Sequence, residues 1–343
     1  MKKVLIITTQ SDRSSSRIMD WLLYYHVDFV RVSEEEPVEF RKVLITKETT
    51  DAEVVIKNEK HLLSDFSVIW YRRGVFTPKF TSVENFDDLT FNLNRQLREE
   101  ARTVSEFVLE QMKYKFTINK QEDLGLNKLS VLEFAKTVGL LIPATIICEE
   151  KTILAKFMKT HPHVITKNVS QGVFVYSESH ILNSITEKIT PERFKQLKPK
   201  FKLSMFQEMI EKWIELRIFY LHGKFFTSAI FSQNDPKTEV DFRNYNFANP
   251  NRTPPFLLPK DIQEKLKKLM KLADLNSGSI DMIISKTGQY YFLEVNPIGQ
   301  FYQVSHPCNY YLEKKLAKTI RHHHEKIKKQ SGTTGLYAIG KDR

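Results

Sequence analysis

Two acidic side chains, Asp281 and Glu294, lie on apolar runs that a single turn signal separates. The runs at 280–285 and 290–295 are typical of β-strands, and the sequence Lys-Thr-Gly-Gln at 286–289 lies between them. A two-residue turn centred on its Thr-Gly pair places Asp281 opposite Glu294 in a hairpin. Like charges that face each other destabilise a sheet, so this pairing indicates a cation held between the two carboxylates.

Asn296 adds an amide oxygen to the same side of the hairpin. Strand side chains repeat every second residue, so Asn296 points in the same direction as Glu294. Together with Asp281 they offer only carboxylate and amide oxygens, which Mg2+ accepts, and Mg2+ sites usually complete their coordination with nucleotide phosphates and water. The alternative is an exposed hairpin that carries acids for solubility. The segment 297–301 is more apolar than an ordinary exposed turn, which argues against this alternative.

The pattern of Asp281 on one strand and Glu-Val-Asn-Pro at 294–297 on the next resembles the metal hairpin of the ATP-grasp superfamily. Its members couple a carboxylate to a nucleophile through an acyl phosphate, so the resemblance implies ATP and Mg2+ as cofactors. It also implies an α/β chain in which the two α+β subdomains of an ATP-grasp fold clamp ATP, preceded by a small N-terminal parallel α/β domain. The expected divisions are 1–115 for the N-terminal domain, 116–205 for the first ATP-grasp subdomain, 206–330 for the C-terminal subdomain with the metal hairpin, and 331–343 for a flexible tail.

Residues that precede the hairpin resemble further parts of the superfamily in the same order. The resemblance implies that two lysines reach the nucleotide phosphates, that the strand at 206–211 holds adenine, and that an acid further on binds the ribose hydroxyls. The cofactor-binding residues implied in this way are Lys128, Lys167, Gln207, Glu208, Ile210 and Glu215. A strand-end lysine such as Lys167 can equally extend to solvent. At 168–173, where the superfamily has a glycine-rich loop over the phosphates, this chain has one glycine.

Two arginines are candidates for contact with the transferred phosphoryl group. Arg217 alternates onto the same strand face as Glu215, and the resemblance implies that both point into the cleft. The alternative is that they are neighbours on a solvated sheet face. Arg243 lies in Asp-Phe-Arg-Asn at 241–244, which resembles the segment that supplies an arginine in the RimK-like branch of the superfamily. We therefore expect Arg217 and Arg243 to be the catalytic residues.

Arg72 and Arg73 follow the apolar run at 67–71. Two adjacent arginines at a strand end cannot both enter a core, and planar guanidinium groups there suit recognition of a carboxylate or a phosphate. The sequence is consistent with two roles for this pair, substrate binding and simple solvation at the surface.

Three short strings resemble a narrower group within the superfamily, the graspetide (microviridin-like) peptide ligases and their grasp-with-spasm type: Trp-Tyr-Arg-Arg at 70–73, Glu-Val-Asn-Pro at 294–297 and Gly-Gln-Phe at 299–301. The resemblance implies activation of Asp or Glu side chains of a ribosomally made precursor peptide as acyl phosphates. Ser or Thr hydroxyls, or Lys amines, then close ω-ester or ω-amide macrocycles. It also implies a partner peptide with a leader and an acidic, Ser/Thr-containing core, and a homodimer.

Other functions stay open at this point. A RimK-like or glutathione-synthetase-like ligase would use the same nucleotide site with an amino acid or a small peptide. A biosynthetic carboxylate–amine ligase would accept a small amine. A basic nucleic-acid-binding protein would need no ATP.

The composition fits a globular protein with acidic partners. The chain has 343 residues, 41% of them hydrophobic, with a formal net charge of +11 and a pI of about 9.3. Much of the basic excess lies in two predicted helices, 260–271 and 313–329, without the aromatic interleaving of RNA-binding surfaces, so nucleic acid is not the expected partner. Two cysteines outside any Cys-x-x-Cys favour a reducing, cytoplasmic location. No stretch approaches the roughly 18 apolar residues of a membrane helix.

The N-terminal part alternates strand, helix and strand, which predicts parallel strand pairing. The predicted elements are strands at 4–8, 27–32 and 67–71 and helices at 14–25 and 87–113. Three consecutive histidines, 322–324, would point about 100 degrees apart on a helix, so they cannot form one chelate and are expected at the surface.

Overall fold

The computed structural model of the chain divides into two compact units. It describes residues 2–76, 78–79, 82–83, 88–170, 174–176, 181–183, 186–233, 235, 246, 248 and 250–337. Unit 1 comprises Met1–Leu124 and Tyr311–Arg343, and unit 2 comprises Gly125–Tyr310. No helix among these described residues combines the length and the apolar character that a membrane crossing requires.

Unit 1 contains a parallel sheet and an antiparallel sheet. Its strands are β1 (Lys3–Thr8), β2 (Phe29–Ser33), β3 (Glu39–Ile45), β4 (Thr50–Ile56), β5 (Glu59–Leu62), β6 (Phe66–Tyr71) and β7 (Phe116–Ile118). The parallel sheet has the order β2-β1-β6-β7, and the antiparallel sheet has the order β3-β4-β5. The parallel pairing of β1 with β2 and β6 confirms the α/β pattern predicted for the N-terminal part.

The helices of unit 1 are α1 (Arg13–Tyr24), α2 (Asp88–Lys113) and α8 (Leu312–Tyr337). Asp12 caps the start of α1, because its carboxylate accepts a hydrogen bond from the Ser15 N–H at 3.1 Å. Helix α8, at the far end of the chain, packs against α1 and β6. Every residue of β6 is buried, as expected for a parallel strand that is covered on both faces.

The three consecutive histidines of α8 do not all lie at the surface, so that expectation is wrong. His324 is buried, and its Nδ1 lies 2.7 Å from the Ser67 hydroxyl on β6. The His323 ring stacks on Phe116 with ring centroids 3.4 Å apart, whereas His322 is exposed. The three side chains do point in different directions around the helix, but that of His324 points into the interior of unit 1, because α8 packs against α1 and β6.

Unit 2 contains two larger antiparallel sheets and a short hairpin. Its strands are β8 (Thr145–Glu150), β9 (Val164–Lys167), β10 (Phe174–Tyr176), β11 (Ile181–Asn183), β12 (Glu187–Lys188), β13 (Lys200–Glu208), β14 (Lys212–Leu221), β15 (Lys224–Ile230), β16 (Pro255–Phe256), β17 (Ser277–Ser285) and β18 (Tyr290–Asn296). The four-stranded sheet has the order β12-β9-β13-β8, the five-stranded sheet has the order β16-β15-β14-β17-β18, and β10 pairs with β11.

The helices of unit 2 are α3 (Lys128–Thr137), α4 (Lys151–Thr160), α5 (Pro191–Gln196), α6 (Lys260–Leu272) and α7 (Tyr302–Ser305). Residues of α4 and α5 pack on the four-stranded sheet around Cys148 and Phe206. Residues of α3 and α6 pack on the five-stranded sheet. Each large sheet therefore has its own helical layer, which agrees with the expected pair of α+β subdomains.

The five-stranded sheet packs one face in a hydrophobic core and carries charged side chains on the other face. On β14, Leu216 and Ile218 join the hydrophobic core under α3 and α6. Glu215 and Arg217 alternate to the opposite face because strand side chains repeat every second residue. The apolar residues that anchor the helices to this sheet are Val131, Leu132 and Ala135 of α3 and Ile262, Leu266, Leu269 and Met270 of α6.

Candidate active site

A cavity of about 210 Å³ in unit 2 is lined by residues of both large sheets. Most of the residues that were predicted to bind the nucleotide and the metal line this cavity. They are Lys167, Gln207, Glu208, Ile210, Glu215, Asp281 and Glu294. Lys128, Arg217 and Asn296 contact the acids of the same wall.

The turn of the acidic hairpin differs from the predicted two-residue turn. The Ser285 N–H donates to the Gln289 carbonyl at 2.9 Å, so the loop between them has three residues, 286–288. Its last residue is a glycine with φ +80°, a left-handed conformation that glycine adopts without steric cost. On its own, the extra loop residue would move the two acidic side chains out of register.

A β-bulge at Leu293 restores the predicted pairing of Asp281 with Glu294. Phe292, on the other side of the bulge, pairs with Met282 and is fully buried in the core. Without the bulge, strand alternation would send Glu294 to the same face as Phe292. The bulge therefore turns Glu294 out of the core and towards the cavity.

Each carboxylate of the acidic pair has a basic partner. The Nη1 atom of Arg217 lies 2.6 Å from Oδ1 and 2.5 Å from Oδ2 of Asp281. The Lys128 Nζ donates to Oε2 of Glu294 at 3.0 Å. The Asn296 Nδ2 donates to Oε1 of Glu294 at 3.2 Å, which confirms that these two side chains share a face. In this structure the positive charge that the opposed acids require comes from protein side chains.

Lys128 is held in place by the start of α3. The Asn127 side chain caps this helix by accepting hydrogen bonds from the Leu129 N–H at 2.9 Å and the Ser130 N–H at 3.3 Å. Lys128 is the first residue of the helix, and α3 packs against β18. This packing brings its ammonium group to Glu294 across 166 positions of the chain.

The basic groups keep Glu294 ionised. Burial on its own raises the pKa of Glu294, but the charges of Lys128 and Lys167 and the hydrogen bonds from Lys128 and Asn296 lower that pKa to about 2. Lys167, at the end of β9, thus belongs to the same charge cluster. The cluster is a concentrated field of fixed charge, which is the environment that phosphate and metal binding require.

The oxygen set of the hairpin fits a hard divalent cation. Asp281, Glu294 and Asn296 offer carboxylate and amide oxygens, as Mg2+ prefers, and leave room for phosphate and water ligands. Within the part of the chain that the structure describes, no group of three or more His, Cys, Asp and Glu side chains is placed to hold a metal ion. The candidate set therefore consists of two carboxylates and one amide.

Part of the remaining wall of the cavity is apolar, and one buried polar atom of the wall has no hydrogen-bond partner among the described residues. Its apolar residues include Ile165, Met209, Ile210, Ile283 and Leu293. The Gln207 Nε2 donates to the Thr145 Oγ1 at 2.9 Å, and the Gln207 Oε1 is buried with no donor among the described residues. A buried acceptor without a donor costs about 1–3 kcal/mol. A ligand with a hydrogen-bond donor at this place would supply the missing partner.

The two acids predicted on the nucleotide side have protein partners. The Glu208 carboxylate accepts from the Ala144 N–H at 3.2 Å. The Glu215 Oε1 accepts from the Lys212 Nζ at 2.6 Å and from the Ser232 hydroxyl at 2.7 Å. Lys212 was not singled out from the sequence, although a lysine three residues before Glu215 on an apolar strand was an available signal.

Arg217 is also positioned by the segment that follows the hairpin. Its Nη2 donates to the Gln300 carbonyl at 3.4 Å, and the Ser279 hydroxyl donates to the same carbonyl at 3.1 Å. A Cβ on Gly299 would lie 2.3 Å from the Ser279 Cβ, so only glycine allows this close approach. The Nε of Arg217 is buried without an acceptor among the described residues.

The other predicted residues are not part of this cluster. Arg72 and Arg73 belong to unit 1. Arg72 is buried, with its Nε 3.1 Å from the Asp12 carboxylate, whereas Arg73 is partly exposed, so the two arginines diverge as predicted. Arg243 and positions 171–173 of the predicted phosphate loop lie outside the described residues.

No protein-family model and no curated protein matches the chain, but solved structures do. A RiPP-associated ATP-grasp ligase from Chryseobacterium gregarium, in complex with ADP and a leader and core peptide, is 23% identical with a TM-score of 0.76, over 93% of this chain and 95% of that one. The macrocyclase MdnC from Microcystis aeruginosa MRC, bound with precursor peptide MdnA, is 24% identical with a TM-score of 0.73, over 93% and 99%. The ATP-grasp ligase PsnB, complexed with minimal precursor, Mg and ADP, is 14% identical with a TM-score of 0.67, over 94% and 97%. The chain therefore has the fold of ATP-grasp ligases over almost its whole length.

Proposed function

We propose that this chain is an ATP-dependent, ADP-forming ligase that closes macrocycles within a ribosomally made precursor peptide. It activates Asp or Glu side chains of the peptide and joins them to Ser or Thr hydroxyls as ω-esters, or to Lys amines as ω-amides. One observation carries the proposal: the cavity of unit 2 combines an opposed acidic pair and its basic partners with an apolar wall that holds a buried acceptor lacking a donor.

Adenine is the base that suits the apolar wall. Its exocyclic amine can donate to the Gln207 Oε1, whereas guanine would present an acceptor oxygen there. The end of β13 and the residues that follow it, 207–210, are assigned to the base, and Glu215 is assigned to the ribose hydroxyls. Lys128 and Lys167 are assigned to the phosphates, as point charges.

Asp281, Glu294 and Asn296 are the residues that would hold Mg2+. When bound, Mg2+ neutralises phosphate charge and orients the terminal phosphate. The Arg217 guanidinium lies beside the same acids and is assigned to the transferred phosphoryl group, which planar guanidinium groups bind well. Arg243 is the second catalytic residue of the proposal, on its sequence resemblance alone.

The proposed reaction has two balanced steps. A carboxylate oxygen of the peptide bonds to the γ-phosphorus of ATP as the bond to the leaving oxygen breaks, which gives an acyl phosphate and ADP. A hydroxyl or amine of the same peptide then attacks the acyl carbon, loses its proton and displaces inorganic phosphate. Each ring therefore removes one water from the peptide.

The peptide substrate is supported by what similar proteins bind and by charge. The Chryseobacterium ligase holds a leader and core peptide, and MdnC holds its precursor peptide. A net charge of +11 attracts an acidic peptide. Of the two arginines Arg72 and Arg73, the partly exposed Arg73 is the proposed peptide contact in unit 1, because Arg72 is buried beside Asp12. We also propose a cytoplasmic location, since both cysteines are free thiols and suit a reducing compartment. A homodimer is proposed on the sequence resemblance alone.

Reconstitution tests the proposal. The purified chain is incubated with ATP, Mg2+ and acidic, Ser/Thr-containing peptides, above all any that are encoded beside its gene. Release of ADP together with the loss of one water per ring in the peptide mass supports the proposal. Release of ADP only with free amino acids, small peptides or small amines would instead assign a carboxylate–amine ligase. RNA binding with a steep salt dependence and no need for ATP would assign a nucleic-acid-binding protein.

A further inference from the structure

Two protein cations contact the carboxylates at which Mg2+ is expected to bind. Arg217 contacts both oxygens of Asp281, and Lys128 contacts Glu294. The four side chains are only 10–21% exposed, so solvent screens these ion pairs weakly. A metal ion that approaches without a nucleotide therefore meets acids that are already neutralised.

We propose that Lys128 and Arg217 are exchangeable counter-ions, which pair with Glu294 and Asp281 when nucleotide is absent and turn to its phosphates when nucleotide is bound. This inference rests on the proposed function and adds to it a coupling between nucleotide binding and metal binding. The phosphates provide the new partners, and the released carboxylates become available to the metal. Metal and nucleotide then bind cooperatively, and by linkage each raises the affinity of the other by the same factor.

The burial of these pairs explains why the cations cannot simply move aside. Breaking a buried ion pair leaves an uncompensated charge, which is strongly unfavourable unless another partner replaces the first. A phosphate oxygen is such a partner for an ammonium or a guanidinium group. The Arg217 Nε, buried and without an acceptor among the described residues, shows that this guanidinium has donor capacity still to use.

A static arrangement makes a different prediction from the exchange. If Lys128 stayed on Glu294 in every state, its removal would strengthen metal binding both with and without nucleotide, because a competing charge is lost. If it exchanges, its removal strengthens metal binding without nucleotide and has little effect once bound nucleotide has already drawn the lysine away from Glu294. The effect of the removal in the presence of nucleotide therefore separates the two arrangements.

The experiment measures Mn2+ binding, with free Mn2+ followed by electron paramagnetic resonance, in the absence and presence of ADP. We expect Lys128→Met and Arg217→Met to bind Mn2+ on the order of tenfold more tightly than the unmodified chain without ADP, within the roughly 5–150-fold range of site coupling. With ADP at saturation, both variants should bind Mn2+ about as tightly as the unmodified chain, because bound ADP has already released the acids there. Lys128→Arg keeps the positive charge, so it should bind Mn2+ without ADP as tightly as the unmodified chain. This variant tests the role of the charge even if a methionine variant fails to fold.

Lys136→Met is the matched control, since Lys136 lies on the same helix and pairs with Glu133 at the surface. It should change neither measurement. Tighter Mn2+ binding by Lys128→Met under both conditions, or unchanged binding without ADP, would overturn the exchange while leaving the proposed ligase intact. Absence of ADP binding by the unmodified chain would overturn the proposed function itself, so the two failures are distinguishable.

Discussion

Replacement of Glu294 with Gln removes one charge from the cavity and keeps the shape of the side chain. The pKa of Glu294 is lowered from 4.5 to about 2. This difference corresponds to about 3 kcal/mol in favour of the ionised form within the folded protein. Gln resembles the neutral form, so Glu294→Gln should lower the free energy of unfolding at pH 7 by up to about 3 kcal/mol. A domain has roughly 5–15 kcal/mol of stability, so the variant should still fold.

The pH dependence gives this prediction its sign. The folded-state pKa lies below the unfolded one, so ionised Glu294 stabilises the fold above about pH 4.5, and this contribution is lost as the pH falls towards about 2. The difference in unfolding free energy between the two proteins should therefore be largest near neutral pH and shrink towards pH 2. Urea unfolding at a series of pH values measures it.

Glu133→Gln is the control for stability, because Glu133 forms an exposed pair with Lys136 that is worth roughly 0–1 kcal/mol. The same Glu294 variant loses a proposed metal ligand. Metal-dependent ADP affinity and peptide turnover should fall at least as far as the roughly 10–100-fold typical of changes around a metal site. Unchanged turnover would refute the metal assignment, and a pH-independent stability difference would refute the electrostatic reasoning.

Three further predictions follow from individual contacts. Gln207→Leu should weaken ADP binding by about 1 kcal/mol and reduce the preference for ADP over GDP in calorimetry, because the buried acceptor is lost. Gly299→Ala should lower the unfolding free energy by about 1–3 kcal/mol and weaken Mg2+–ADP binding, because the added Cβ would lie 2.3 Å from the Cβ of Ser279 on β17. Gly125→Ala is the control, because Gly125 has open space around it. Burial lowers the pKa of His324, so protonation in the unfolded chain should reduce stability as the pH falls below 6.5, and His324→Gln should lose this part of the pH dependence.

Each of these has a clear contrary result. Equal ADP and GDP affinities in the unmodified chain would contradict the assignment of the Gln207 oxygen to adenine. A Gly299 variant as stable as the Gly125 control would show that the segment after Asn296 can shift without cost. An identical pH dependence for the His324 variant would contradict the lowering of the His324 pKa by burial.

Several features of the site follow from local patterns in the chain. Asp281 and Glu294 share a hairpin, and Glu215 and Arg217 lie on one face of a strand, because turn length and two-residue alternation act over a few residues. The predicted pairing of Asp281 with Glu294 is confirmed, but the predicted two-residue turn is wrong. The loop has one more residue than predicted, and the bulge at Leu293 compensates for it. A bulge depends on the packing of Phe292 in the core, which no local pattern specifies.

The sequence by itself determined which functional residues are present and which of them share a local face: two acids and an amide on a hairpin, lysines at the ends of elements, and a glutamate and an arginine on one strand face. Only the tertiary structure decided that Lys128 and Arg217 neutralise those acids, that Lys212 fixes Glu215, that the Gln207 oxygen stays buried without a donor, and that His324 is enclosed by unit 1. The physical reason is distance along the chain. Alternation and turns act between neighbours, whereas burial and ion pairing depend on which remote strands and helices the hydrophobic cores bring together.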